Sequence, residues 1–179
     1  MGGGAEFAVT VMAFSCSRIY VVLAVLLSAL NVMADDLPLE AQLPEWAAAK
    51  WHLLSRSKQL ALLARINPFV WRGDFNGDQR SDLAILVKNV VSGKEGVAIL
   101  FRGNSSPVLV GAGEALGEAG DDFSWIDFWW VQDRGSNQKS YYQRSLRLRT
   151  DGLLLAKDAS ASGLIYFKNG KAKWQQQSD

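Results

Sequence analysis

The residues best equipped for chemistry lie between Asp74 and Asp82. There Asp74-Phe75-Asn76-Gly77-Asp78-Gln79-Arg80-Ser81-Asp82 places oxygen-bearing side chains at the first, third, fifth and ninth positions of a short polar stretch. Alternate side chains of a tight loop can point inward together. Such a ring suits Ca²⁺, which takes six to eight oxygens at about 2.3–2.6 Å, and the main-chain carbonyl of Arg80 at the seventh position would supplement the four side chains. Three crowded carboxylates repel one another, and a cation would make the spacing tolerable. The set is too hard and too oxygen-rich for Zn²⁺ or copper. It is not an EF-hand, because Ile85 stands where the bidentate Glu belongs and an apolar strand, not a helix, follows. Gln79 occupies the position where such loops prefer Gly, and a left-handed backbone there costs about 1–2 kcal/mol. The competing reading is a polar, Asx-rich turn with no metal.

A second candidate is Asp121-Asp122-Phe123-Ser124-Trp125-Ile126-Asp127-Phe128-Trp129-Trp130. Two carboxylates beside aromatics are what a glycosidase or a sugar-binding site requires, so Asp121, Asp122, Trp125 and Trp129 are candidate contacts to a partner or sugar. The same pattern describes a central strand covered on both faces, with Asp121 and Asp122 capping its start. Other catalytic material is scarce. The chain has one His, His52, and one Cys, Cys16, so Ser-His-Asp and Cys-His chemistry lack their parts. Gly111-Ala112-Gly113-Glu114-Ala115-Leu116-Gly117 has the spacing GxGxxxG with no βαβ unit around it, and reads as a loop. Arg144, Arg147 and Arg149, with Lys139, form a local basic stretch. Alternation with Leu146 and Leu148 sets Arg147 and Arg149 on one strand face, which is solvated or meets an acidic protein partner. No catalytic residue is assigned, and the expectation is a protein that is not an enzyme.

The elements that must position these groups are mostly strands. From Leu43-Pro44-Glu45 to about Ile66, Trp46, Ala49, Leu53, Leu60 and Leu63 recur near helical spacing, which predicts a helix over about 44–66. Pro44 suits its first turn, Asn67-Pro68 supplies a stop, and Ser55-Arg56-Ser57-Lys58 is a potential break. Thereafter Leu83–Val87, Val97–Phe101, Val108–Val110, Trp125–Val131, Leu146–Arg149, Leu153–Ala156, Leu164–Phe167 and Ala172–Trp174 are short β-type runs between Gly, Asn, Asp and Ser clusters. Asn169-Gly170 predicts a two-residue type I′ hairpin turn, and Ser92-Gly93-Lys94-Glu95-Gly96 a second hairpin. The fold class expected is α+β, mostly β: an N-terminal helical segment followed by an antiparallel β meander with one Ca-binding loop.

Composition adds an address and removes some partners. Arg18 precedes the apolar run Ile19–Leu30, and Val32-Met33-Ala34 offers a cleavage site before Asp35-Asp36, the tripartite form of a secretory signal. The run is shorter than the roughly 20 residues a spanning helix needs. Residues 1–34 are therefore expected to be removed, with Met12 an alternative start, and residues 35–179 to form one domain in the periplasm or outside the cell, without membrane insertion after cleavage. With 19 Lys and Arg against 18 Asp and Glu, there is no overall field to draw nucleic acid.

Arg72-Gly73-Asp74-Phe75-Asn76-Gly77-Asp78 through Ser81-Asp82-Leu83-Ala84-Ile85 resembles the calcium loop of FG-GAP, or VCBS, repeats of integrin-like propellers, over about 14 residues. The resemblance implies the ligands Asp74, Asn76, Asp78 and Asp82. Along most of the chain, the order Ile66-Asn67-Pro68-Phe69, this loop, Asp121-Asp122-Phe123-Ser124-Trp125, Ser160-Ala161-Ser162 and Trp174-Gln175-Gln176 resembles small exported bacterial proteins of uncharacterised activity. A more distant analogy, on export, size and the loop, is to periplasmic proteins that act as immunity factors by inhibiting lysozyme-like enzymes. These readings converge on an exported, calcium-binding, non-catalytic module that binds a protein in the cell envelope, such as a lytic enzyme. The alternatives are a carbohydrate-binding module and a carboxylate-based glycoside hydrolase.

Overall fold

In the computed structural model the described residues are 38–140 and 143–178, and Leu39–Asp179 forms one compact unit. The expected signal segment, residues 1–34, lies outside the described residues.

Helix α1 spans Glu45–Lys58 and ends at Gln59, whose left-handed φ of 54° stops it well before Ile66. Its buried stripe is also not the one read from the sequence. Ala47 and Trp51 of the helix, with Leu43 just before it, are buried at a spacing of four, whereas Leu53 is 77% exposed and Ala49 faces solvent. Leu60 and Leu63, counted as helical, belong elsewhere: β1 (Leu60–Leu62) pairs antiparallel with β3 (Asp82–Asn89), Leu60 facing Asn89. Burying Leu60 against a ready sheet edge outweighs two further helical turns that would have no core to face.

Among the described residues all strand pairs are antiparallel, as expected, and they form two main sheets. In the first, β3 lies between β4 (Glu95–Leu100) on one side and β1 and β2 (Val70–Gly73) on the other, and β5 (Val108–Gly111) completes it beyond β4. In the second the order is β11 (Lys171–Ser178), β10 (Ser162–Lys168), β9 (Gly152–Ala156), β6 (Phe128–Gln132). A small third pair joins β7 (Asn137–Gln138) to β8 (Leu146–Arg147).

The period-2 alternation of β3 and β4 explains the layering. Leu83, Ile85, Val87, Ala98 and Leu100 pack in one cluster with Ala47 and Trp51 of α1. Ala84, Leu86, Val97 and Ile99 face the other way and pack with Trp129, Leu153, Leu155 and Ile165 of the second sheet. The order of layers is therefore helix, sheet, sheet. That arrangement is why β3 reads as an uninterrupted apolar run: both of its faces are covered.

Turn chemistry follows the sequence closely at the C-terminal hairpin. Asn169 and Gly170 take φ of 53° and 71°, as a type I′ turn requires, and Lys168 faces Lys171 across it. The earlier hairpin pairs Lys88 with Glu95 and closes through the Asn89 N–H donating to the Lys94 carbonyl, 2.9 Å. At the other end of β10, the Trp174 indole lies across Gly163 and fills the space a Cβ would need.

Candidate functional site

The Asp74–Asp82 stretch runs from the end of β2 to the start of β3, and neither neighbouring strand breaks register: Gly73 pairs with Asp82. The loop is thus a long hairpin connection whose base is held by the sheet. Within it the side-chain oxygens fold onto the loop's own backbone. Asp74 Oδ1 accepts from the Gly77 N–H at 2.7 Å and Oδ2 from the Gln79 N–H at 3.0 Å. Asn76 Oδ1 accepts from the Asp78 N–H at 2.9 Å. Asp78 Oδ1 accepts from the Arg80 N–H, also 2.9 Å, and Oδ2 from the Asn76 amide at 3.2 Å. These are Asx-type turns, the reason Asp and Asn suit such bends. Gln79 takes φ of 64° and Gly77 φ of 84°, so the strained left-handed position falls on the residue where the sequence lacked glycine. The Gln79 N–H bond to Asp74 helps offset that strain.

Asp82 differs from its neighbours. It is wholly buried, with Oδ1 accepting from the Arg102 N–H at 2.9 Å and Oδ2 from the Phe75 N–H at 3.1 Å. Desolvation by burial raises its carboxyl above the ordinary value, against the opposing pull of those two donors, and the nearby charge of Asp78 adds to the rise. Asp74, by contrast, is tied to the second sheet. Its N–H donates to Asp151 Oδ2 at 2.7 Å, and the Asp151 N–H returns a bond to its carbonyl at 3.0 Å. Asp151 Oδ1 in turn accepts from the Arg134 N–H, 2.9 Å.

Of the five expected metal ligands, Asp74, Asn76 and Asp78 share this closed network, Asp82 anchors its base, and Arg80 leaves its side chain in solvent. Among the described residues no group of three or more His, Cys, Asp or Glu side chains converges closely enough to hold a metal ion. The donor chemistry nonetheless fits a hard cation. All the side-chain ligands are oxygen, and a carboxylate oxygen that accepts one N–H keeps a further lone pair.

The aromatic segment is held by contacts of a different kind. Trp129 is 3% exposed, and its indole N–H donates to the Pro68 carbonyl at 2.8 Å while the Trp71 indole N–H donates to the Trp129 carbonyl at 3.0 Å. These two bonds join the edges of the two sheets. Trp125 is half-buried, edge-on to Trp174, whose ring stacks on Phe123 with centroids 6.3 Å apart. Asp121 pairs with Lys94. Asp122 accepts from the Glu95 and Ser124 N–H groups, both 3.0 Å, and from the Ser124 hydroxyl at 3.1 Å. Burial alone would raise its carboxyl, but those donors and Lys94 outweigh that and hold it below the usual value. Asp127 accepts from the Asp158 N–H, 2.9 Å. Residues 125–127, expected to begin a strand, form a turn, and β6 starts only at Phe128.

Two organising residues carry little local signal in the sequence. Arg65 donates to Glu95 at 2.6 Å and to the carbonyls of Ile126, Phe123 and Ser124 at 2.6, 3.3 and 3.2 Å, clamping the aromatic turn. Asp151 ties the loop to the second sheet. Its one sequence signal is an Asp-Gly pair ahead of an apolar run. His52 is exposed and Gly111–Glu114 is a tight turn closed by paired main-chain bonds. Among the described residues no helix is long and apolar enough to cross a membrane.

Comparison with family models, with curated proteins and with solved structures found no match.

Proposed function

We propose that this chain is an exported, non-catalytic module that takes one Ca²⁺ in the Asp74–Asp82 turn and binds another protein in the periplasm or outside the cell. By analogy of size and loop, an inhibitory or immunity role against a lytic enzyme is the form this takes. The reading is carried by one contrast. The carboxylates of the aromatic segment each serve an ion pair or a backbone cap, whereas Asn76 and Asp78 sit at a solvent-facing bend of hard oxygens already curled by Asx turns.

In the calcium state Asp74, Asn76, Asp78, Asp82 and the Arg80 carbonyl would hold the ion, which supplies a central positive charge to carboxylates otherwise balanced by N–H dipoles and, at Asp74, by the Arg134 guanidinium 4.0 Å away. The ion then acts as a structural clip between β2 and β3, and the surface around it binds without turning over substrate.

Thermal melting in EDTA and then in excess Ca²⁺ tests the metal. An ion that binds only the folded state stabilises it by RT ln(1 + [L]/Kd), about 2.7 kcal/mol at a hundredfold excess over Kd. An unchanged melting temperature would count against calcium. Crosslinked pulldown from native envelope in calcium buffer tests the partner, and recovery of the chain alone would oppose a binding role.

A further inference from the structure

Charge is segregated along this chain in a way its near-neutral total conceals. Residues 135–150 and 159–178 hold seven of the 19 Lys and Arg and none of the 18 Asp and Glu. The fold brings parts of both segments together. A groove of about 450 Å³ runs between the Leu146–Thr150 segment and the β10–β11 turn, and Arg147, Arg149 and Lys168 line it with Tyr166. No Asp or Glu lines it among the described residues. Lys171 stands directly opposite Lys168 across the hairpin. None of these four cations has an ion-pair partner among the described residues. Arg147 and Arg149 are exposed while Leu148 between them is buried, and both arginines lie along the groove.

Like charges gathered without counter-charges cost stability in the free protein, and a partner of opposite sign relieves that cost. We infer that this groove is the docking site for an acidic segment of a protein partner, a peptide carrying several Asp or Glu side chains with apolar residues between them. The inference rests on the reading of the chain as a protein-binding module and moves its contact surface away from Trp125 and Trp129. Charge complementarity selects an anionic occupant, and the aromatic content argues against nucleic acid. Phe167 is turned toward the core against Phe101, centroids 5.4 Å apart, and Tyr166 is half-buried in a cluster with Leu148 and Leu164, so among the described residues the groove offers bases one partly covered ring rather than a row of stacking platforms. A membrane surface fits poorly as well, since the large exposed apolar residues, Leu53, Val90, Val91 and Phe128, all lie outside the groove.

Fluorescence anisotropy with the purified full chain tests this, using a labelled Glu-rich peptide with interspersed Leu, its Gln-for-Glu counterpart, a labelled thymidine oligonucleotide and vesicles of anionic phospholipid. The acidic peptide should bind at least about tenfold more tightly than the Gln peptide and weaken with added salt. The double substitution Arg147→Glu with Arg149→Glu should reduce its affinity about tenfold or more, Lys168→Glu on the facing element should act in the same direction, and Lys88→Glu on the first sheet should leave it unchanged. Equal binding of the two peptides, tighter binding of the oligonucleotide or the vesicles, or indifference to both groove variants would overturn the inference. An envelope partner that still binds the Arg147→Glu, Arg149→Glu chain would remove the groove and keep the module. Acidic-peptide binding in a chain that captures no envelope protein would do the reverse.

Discussion

The Asp74–Asp82 turn and the Asp121–Trp130 segment both gather carboxylates within a few residues, yet they spend them differently. In the aromatic segment each Asp serves a partner distant in sequence: Asp121 holds Lys94, Asp122 caps the start of β4, and Asp127 fixes the turn at Asp158. In the loop, Asp74, Asn76 and Asp78 mostly bond to backbone two to five residues away. The first pattern welds sheets together. The second shapes a bend that stays at the surface. Acidic density in a sequence therefore says little until one knows whether the donors that satisfy it are local or remote.

The sharpest way to break this comparison is to treat the aromatic segment as if it were a recognition surface. Trp129→Ala should cost about 3–5 kcal/mol in chemical denaturation, because it empties a core site and leaves the Pro68 carbonyl without its donor. A surface stacking residue would lose well under 1 kcal/mol by the usual behaviour of exposed sites. A small effect at Trp129 would favour a solvent-facing segment and the carbohydrate-binding alternative.

Within the loop, Asp82 should behave as a member of the core rather than of the bend. Asp82→Ala leaves the buried Phe75 N–H without an acceptor, which costs about 1–3 kcal/mol, and frees the part-buried Arg102 N–H at a smaller cost. A midpoint shift as large as that for a buried leucine would place Asp82 with the scaffold, and a negligible shift would place it with Asp78.

Acid titration separates the two regions by sign. Asp122 has its carboxyl lowered in the folded state, so its stabilising contribution is complete above the unfolded value near 3.9 and is lost as pH falls through the lower folded value. Asp82 is raised. Its ionised form is disfavoured by folding, so it adds relative stability on the acid side that fades as pH rises through the folded value. Asp122→Asn should cost about 1–2 kcal/mol at neutral pH for weakened caps, with the deficit shrinking toward pH 3. Urea melts of both proteins at several pH values measure it, and a deficit independent of pH would show that the caps act without charge.

How much of this was legible depends on the range of the interaction. The β3 and β4 runs were readable because both faces are covered and the apolar residues are contiguous. Asn169-Gly170 was readable because positive φ at two successive positions narrows the choice of residue. The loop's outline was visible in its Asx spacing. The end of α1 was not, because Leu60 satisfies helical spacing and strand burial equally, and only the waiting edge of β3 decides between them. The partners of Arg65 and Asp151 are hidden for the same reason. Arg65 finds its carbonyl partners some 60 positions away, and Asp151 meets Asp74 across 77.

The smallest effect is expected at Asp78, and it sharpens the comparison most. Its side chain is exposed and its bonds are local, so Asp78→Ala should cost less than about 1 kcal/mol in EDTA. In excess Ca²⁺ the same substitution should remove much of whatever stabilisation the ion provides, since it deletes one of the three carboxylates proposed to hold it. The difference between the two conditions, not either value, carries the information. Asp122→Asn serves as the control, because its carboxyl lies outside the loop and its cost should be equal with and without calcium. If the Asp78 deficit is also equal in both, the bend is held by its N–H donors alone, and both acidic regions are architecture.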